Sequence, residues 1–247
     1  MSNIVQPLSK VRDSVCSIMR IVTKRRGQKK NKPPQIQYQL SFVGTAWCIV
    51  QNKYLLTAHH ILNNLKPRDP NDKFFAFIVP NNGLNAFHFP VVAFPLEDAA
   101  SDMAILEIGS PVNHTNQIPS VPITFNRPID GSMVFTYGFP APAINKANVD
   151  QNGNFAGGEF FLKAHANEGI LAAQYEINNQ WFCEFNVGWH HGESGGPVFQ
   201  LDPLAGFAVM QQYRNVQTPL GPVAGPHAGR SLECVKAQLI SIGCKIV

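Results

Sequence analysis

The chain has 247 residues, 45% of them hydrophobic and 15% charged, which is enough apolar material for a sizeable core and too little charge for a disordered chain. A formal net charge of +4 is too mild to mark a nucleic-acid binder by composition. No apolar run approaches membrane-spanning length, and the five cysteines (Cys16, Cys48, Cys183, Cys234, Cys244) contain no CxxC pair of the kind used by zinc or redox sites.

Taken in chain order, no signal peptide is expected, because no apolar run of signal-peptide length occurs near the N-terminus, where Lys10, Arg12, Asp13 and Arg20 interrupt the pattern. Strand-length β-rich runs follow at Ser14 to Val22, Tyr38 to Val50, Tyr54 to Ala58, Phe74 to Val79, Phe87 to Leu96 and Met103 to Ile108. Between the first two, Lys24, Arg25, Arg26, Lys29, Lys30 and Lys32 form a basic segment closed by Pro33 and Pro34. No aromatic residues interleave these charges, so a solvated loop is the simpler reading than a nucleic-acid surface. A Pro- and Asn-containing connection, Pro111 to Pro122, precedes a second set at Met133 to Phe139, Glu159 to Ala164, Ile170 to Tyr175, Trp181 to Val187, Pro197 to Leu201 and Gly206 to Tyr213.

The pattern predicts an all-β protein of two six-stranded antiparallel β-barrels, residues 1–118 and 119–247, with the site in the cleft between them. Near the C-terminus, Leu232, Val235, Leu239 and Ile240 recur at helical spacing between a capping Ser231 and a stopping Gly243. They predict a C-terminal α-helix packed on the second barrel.

Chemistry concentrates in Gly192-Glu193-Ser194-Gly195-Gly196-Pro197, where small residues flank one serine just before an apolar strand. Glycines there let the backbone turn sharply, so the amides of Gly192 and Ser194 can serve as an oxyanion hole. A serine hydroxyl is a poor nucleophile until an imidazole accepts its proton, and that imidazole needs an acceptor on its other nitrogen. Thr57-Ala58-His59-His60 ends one strand with a histidine in a turn, and Asp102 opens the apolar strand Met103 to Ile108. His59 is expected to pack or meet solvent, and Asp98, which precedes an Ala-Ala-Ser stretch, is expected to be a solvated loop charge.

These motifs resemble the trypsin-like serine proteases, and most closely the HtrA-type protease domain rather than the disulfide-rich digestive enzymes. The resemblance rests on Gly44-Thr45-Ala46, the TxxH motif from Thr57 to His60, the strand from Asp102 to Ile108, the Gly192 to Pro197 turn, and Gly131-Ser132-Met133-Val134 through Tyr137-Gly138-Phe139-Pro140. It implies a chymotrypsin-type fold and a serine endopeptidase that hydrolyses protein or peptide substrates through His60, Asp102 and Ser194, the TxxH spacing selecting His60 as the base. It requires no cofactor and no metal.

No IVGG-like activation sequence is present, so a new N-terminal amine pairing with Glu193 is not expected. Nor is an appended PDZ domain. The missing cystines near the histidine and the nucleophile agree with a reducing compartment, and with no apolar run of membrane-spanning length a cytoplasmic protein without membrane association is expected.

Family geometry assigns the substrate pocket to Gly188 to His191, Val209 to Gln211 (Val209, Met210, Gln211) and Pro226 to Gly229. Gly188 where tryptic enzymes carry an acid disfavours Lys or Arg at the cleavage site. An imidazole of His190, His191 or His227 in the pocket would hydrogen-bond an acidic or amide side chain, as in glutamyl-type relatives. Each is more often a satisfied or exposed residue, and no cleavage preference is assigned. Two alternatives share the same motifs: an inactive module that binds peptides without cutting them, and a latent enzyme whose loops are ordered by an activating protein partner sensed through the basic segment.

Overall fold

A computed structural model describes residues 4–26, 35–63, 67–80, 86–111, 114–188, 190–218 and 221–247; for residues 25, 26, 35, 212–218 and 221–226 it describes the backbone alone. Beyond its start at the end of the first strand, the basic segment from Lys24 to Lys32 lies outside the described residues, as does Trp189.

After a short helix α1 (Val5–Val11), six strands close a first antiparallel barrel: β1 (Val15–Arg26), β2 (Gln35–Val50), β3 (Tyr54–Ala58), β4 (Lys73–Ile78), β5 (Phe87–Asp98) and β6 (Met103–Ile108), in the order β1-β2-β3-β6-β5-β4. Helix α1 has no counterpart among the sequence expectations. β3 is buried from Leu55 to Ala58, and only Glu107 interrupts the buried run of β6 before Ile108. These two strands pair with Leu55 opposite Leu106 and Ala58 opposite Met103. That register sets the mouth of the site: the residues just after Ala58 and just before Met103 must emerge side by side.

The second barrel also has six strands, but not the six expected. It comprises β7 (Met133–Gly138), β10 (His165–Ile177), β11 (Gln180–Asn186), β12 (Pro197–Leu201), β13 (Leu204–Thr218) and β14 (Gly221–Ser231). The run Glu159 to Ala164 is not a barrel strand. Half of it falls in β9 (Phe155–Phe161), which pairs with β8 (Ala143–Val149) as a separate two-stranded hairpin. The hairpin is held against the first barrel by rings: Phe155 and Phe160 each lie edge-on to Phe77, at 5.2 and 5.4 Å between centroids. Such aromatic pairs contribute beyond their buried area.

β14 was unrecognised because Gly221, Pro222, Gly225, Pro226 and Gly229 give it the composition of a loop. Gly229 is nonetheless required in the ladder, since a Cβ there would lie 2.4 Å from the Val209 carbonyl oxygen. At the C-terminus, Ser231 accepts from the Glu233 N–H as the expected cap. The first turn, Leu232–Val235, is a 3-10 turn, and the α-helix α2 covers only Lys236–Ser241. Leu232, Val235 and Leu239 are buried, whereas Ile240, placed on the packing face by periodicity, is 51% exposed.

One core cluster spans the seam between the barrels, joining Trp47, Leu56 and Ile61 of the first to Phe135, Phe199 and Val209 of the second. Trp47 stacks edge-on to Phe199 at 6.0 Å, and its indole occupies the space where a side chain at Gly206 would stand. All five cysteines are free thiols, four of them buried, and burial pushes Cys48 and Cys183 up to about 12, so neither is an activated nucleophile.

Candidate active site

His60 lies in a 3-10 turn, His59–Asn63, that follows β3 directly. Asp102 is the residue before β6 and sits at φ +52°, in the left-handed region that Asp tolerates better than most side chains. The β3–β6 register brings the two together, and Asp102 holds His60 at two points. Oδ1 accepts the His60 backbone N–H at 2.7 Å, and Oδ2 pairs with Nδ1 of the ring at 2.8 Å. The His59 N–H is bound to the Asp102 carbonyl at 3.1 Å, which fixes the backbone of the turn as well. Nδ1 facing a carboxylate is the protonated nitrogen of the neutral ring, leaving Nε2 as acceptor. His59, the neighbouring candidate, is half-buried. Asp98 accepts from Ala100 N–H and from the Ser101 hydroxyl, so it organises the turn leading to Asp102 instead of standing free in solvent.

Ser194 reaches the same corner from the second barrel. It precedes β12, which is flanked by β7 and β13, and it is 8% exposed. Its Oγ donates to the Gln211 carbonyl at 3.1 Å. Gln211 in turn donates through Nε2 to the carbonyls of Ser101, at 2.7 Å, and Asp102, at 3.1 Å. A residue expected in the substrate pocket is thus the tie between the serine and the acid.

The turn around Ser194 is locked by its peptide planes. Glu193 N–H closes a turn on His190 O at 3.1 Å, with Gly192 at φ +101°, a conformation that favours glycine. The His191 carbonyl accepts from Ala141 N–H at 2.7 Å, and the Glu193 carbonyl accepts from Gly196 N–H at 2.9 Å. Because C=O and N–H point oppositely across a trans peptide, these bonds aim the Gly192 and Ser194 amides away from their partners' side of the turn.

Thr45, which sequence reasoning placed only in a family motif, holds this turn from the first barrel. Its N–H donates to Ser194 O at 2.8 Å, its hydroxyl donates to Gly192 O at 2.7 Å, and the hydroxyl accepts from Phe139 N–H at 3.1 Å.

Glu193 is 3% exposed; its Oε2 accepts the His190 N–H at 2.6 Å and its Oε1 the Asn167 amide at 3.3 Å. Burial pushes its carboxyl from the ordinary 4.5 up to about 7, outweighing the hydrogen bonds from His190 N–H and Asn167 that favour the anion. A folded-state carboxyl raised this far binds more protons than the unfolded chain between those two values, so its contribution to stability falls as pH rises from about 4.5 to 7 and stays low above. The swing amounts to about 3 kcal/mol. Urea denaturation at pH 5 and pH 8 is expected to show this loss in the wild type and a flatter dependence in Glu193→Gln; an unchanged slope in the variant would assign the pH dependence to other groups.

Of the expected pocket residues, Val209 and Met210 are core side chains at 0% and 1% exposure, so they do not supply side chains to a pocket wall. Met210 instead brackets the turn around Ser194 by its backbone, accepting from Gly195 N–H at 2.7 Å. Gly188 lies beside Asn167, whose Oδ1 would be 3.2 Å from a Cβ placed there. His190 and His191 are exposed and His227 is partly buried. Pro226 has only its backbone described. Among the described residues no group of three His, Cys, Asp or Glu side chains is arranged to hold a metal ion, and no helix is long and apolar enough to cross a membrane.

Two closed six-stranded antiparallel barrels with a histidine–carboxylate pair on one and a glycine-flanked serine on the other define the chymotrypsin-like fold. The chain belongs to the trypsin-like peptidase domain family, whose model matches residues 44–203, a span that contains His60, Asp102 and Ser194. Its fold is similar to that of the HtrA-type protease AlgW, solved with a decapeptide, at TM-score 0.64 and 14% identity over 98% of this chain and 67% of that one. Deg5 is similar at TM-score 0.61 and 14% identity, covering 98% of this chain and 95% of that one. The protease domain of MamO from Magnetospirillum magneticum, in its apo form, gives TM-score 0.51 and 14% identity over 92% of this chain and 96% of that one. No curated protein sequence matches the chain.

Proposed function

We propose that this protein is a serine endopeptidase acting on protein or peptide substrates through an acyl-enzyme. The observation that carries the reading is the two-point hold of Asp102 on His60, linked through Gln211 to the hydroxyl of Ser194. On substrate binding, the Ser194 hydroxyl turns from the Gln211 carbonyl to Nε2 of His60. Oγ then attacks the scissile carbonyl carbon as its proton passes to Nε2, and Asp102 steadies the resulting imidazolium. The amides of Gly192 and Ser194, oriented by the locked peptide planes, receive the oxyanion. His60 gives the proton to the leaving amine. Water, deprotonated by the same imidazole, releases the acyl group as a carboxylic acid and restores the serine. The decapeptide bound to AlgW supports a peptide as the occupant of the cleft. The five free thiols support a reducing, cytoplasmic compartment.

A fluorophosphonate probe tests the reading. Stoichiometric labelling at Ser194, abolished in Ser194→Ala, is the expected result; no labelling under any condition would overturn it. The bond from Ser194 Oγ to the Gln211 carbonyl favours one second reading, a latent enzyme in which an activating partner releases the hydroxyl. Labelling that appears only when a partner is added would identify that state.

A further inference from the structure

From His190 to Ser194 every backbone carbonyl has a donor. His190 O accepts from Glu193 N–H at 3.1 Å and Glu193 O from Gly196 N–H at 2.9 Å, both within the turn. The other three are held from outside it: His191 O by Ala141 N–H at 2.7 Å, Gly192 O by the Thr45 hydroxyl at 2.7 Å and Ser194 O by Thr45 N–H at 2.8 Å. On the donor side, Glu193, Gly195 and Gly196 give their N–H groups to the carbonyls of His190, Met210 and Glu193. Among the described residues this leaves the amides of Gly192 and Ser194 without a protein acceptor.

Of the five carbonyl ties, only the one at Gly192 depends on a side chain. The peptide it holds, Gly192–Glu193, lies between the two unpaired amides, so its rotation sets the angle at which they point. Little else restrains that peptide. Gly192 sits at φ +101° and has no Cβ to limit rotation, and the Glu193 N–H bond to His190 O is the longest of the turn's bonds at 3.1 Å. The Phe139 N–H can only donate, so the Thr45 hydroxyl that accepts it at 3.1 Å spends its own proton on Gly192 O. The same hydroxyl thereby fixes the start of the segment from Phe139 to Ala141, whose far end holds His191 O. One fully buried side chain of the first barrel stands behind the peptides on both sides of Gly192.

We infer that Thr45 is a positioning residue for the reaction: its hydroxyl sets the direction in which the Gly192 and Ser194 amides converge on an oxyanion, and so stabilises the transition state without helping to hold the substrate. The inference rests on the peptidase reading. In that reading Ser194 Oγ bonds to the carbonyl carbon, its proton passes to Nε2 of His60 and the carbonyl π pair moves onto oxygen, so only then is there a full charge for the two amides to meet. A hold that matters at that stage alone acts on kcat and leaves ground-state binding untouched. Valine has the shape of threonine without the hydroxyl, so Thr45→Val removes the donor from Gly192 O and the acceptor from Phe139 N–H together.

The test compares Thr45→Val and Thr45→Ser with the wild type on one cleaved peptide and on an aldehyde made from the acyl side of that peptide, which Ser194 converts to a hemiacetal bearing the oxyanion. In Thr45→Val, kcat and aldehyde affinity are expected to fall together by about 10²-fold, as when an oxyanion donor is lost, while KM and the affinity of the peptide on a Ser194→Ala background stay within about threefold. Thr45→Ser keeps the hydroxyl and should stay within about threefold of the wild type throughout. Values are taken per folded molecule from melting curves, so a role in stability alone would leave aldehyde affinity unchanged.

If Thr45→Val does not fold, Thr45→Cys replaces it; a thiol is a weak donor and a weak acceptor, and a loss of about 10-fold in the same two quantities is expected. Unchanged kcat, a loss shared equally by KM or by Thr45→Ser, or a fall in kcat with no fall in aldehyde affinity would overturn the inference. Failure of the peptidase reading looks different. A wild type that neither hydrolyses peptides nor reacts with a fluorophosphonate removes that reading, and amide hydrogen exchange over residues 190–196 then decides the tie. Faster exchange in Thr45→Val than in the wild type and Thr45→Ser supports it, and equal exchange in all three overturns it.

Discussion

Asp102→Asn is expected to lower kcat about 10⁴-fold while leaving the protein folded, the loss seen when the acid of a Ser-His-Asp triad is replaced by its amide. The fold should survive because residue 102 is held at φ +52°, and asparagine adopts that left-handed conformation as readily as aspartate. One amide oxygen can still accept the His60 N–H that Oδ1 accepts now. What is lost lies at the other oxygen: an NH₂ group facing Nδ1 stabilises the tautomer that puts the proton on Nε2, where the serine proton has to go. Turnover of a peptide substrate, with circular dichroism and a melting curve on the same samples, checks both halves. Near-wild-type hydrolysis would remove Asp102 from the mechanism.

Gly195→Ala should unfold the nucleophile turn rather than merely slow it. A Cβ at 195 would stand 2.1 Å from Thr57 Oγ1, 2.2 Å from Thr45 O and 2.9 Å from Ala58 N, and φ is +86°. Neither neighbour can yield cheaply, because the Thr57 hydroxyl donates to that same Thr45 carbonyl at 2.7 Å inside the core. Overpacking and the left-handed backbone together imply a loss of about 3–5 kcal/mol, a large part of the stability of an ordinary domain. Gly131→Ala is the matched control, with φ +87° and nothing within 4 Å of the new methyl, so it isolates the backbone contribution of about 1–2 kcal/mol. Urea midpoints of the two variants should differ by the steric part alone. Equal destabilisation would mean that the seam between the barrels gives way more easily than the contacts suggest.

The contrast between these two glycines shows where sequence reading stops. Both stand in recognisable turn motifs with nearly the same φ, yet only one is pressed against another barrel. The first barrel was legible almost strand for strand because its segments are short, apolar and bounded by turn residues. In the second, β14 was lost to its glycines and prolines, and Glu159 to Ala164 was assigned to the wrong sheet. Strand propensity says that a segment will pair but not with which partner, and the rings of Phe155 and Phe160 found the outside of the first barrel. His60, Asp102 and Ser194 stood out because each is embedded in a contiguous motif. The roles of Thr45 and Gln211, and Asn167 altogether, were not legible, since each acts through a bond to a distant residue: Thr45 to Gly192 across 147 positions, Gln211 to Ser101 across 110 and Asn167 to Glu193 across 26.

The amino-acid sequence alone determined the all-β class, most of the strands, the glycine-flanked serine and the family resemblance, because these depend on residue type and spacing within a single stretch of chain. Only the tertiary structure decided that Ser194 rests on the Gln211 carbonyl, that Thr45 holds the turn before Ser194, that Val209 and Met210 are core and that His227 lies opposite Phe185. Each of these depends on the register of strands from different parts of the chain, and a shift of one residue would turn every side chain concerned to the opposite face.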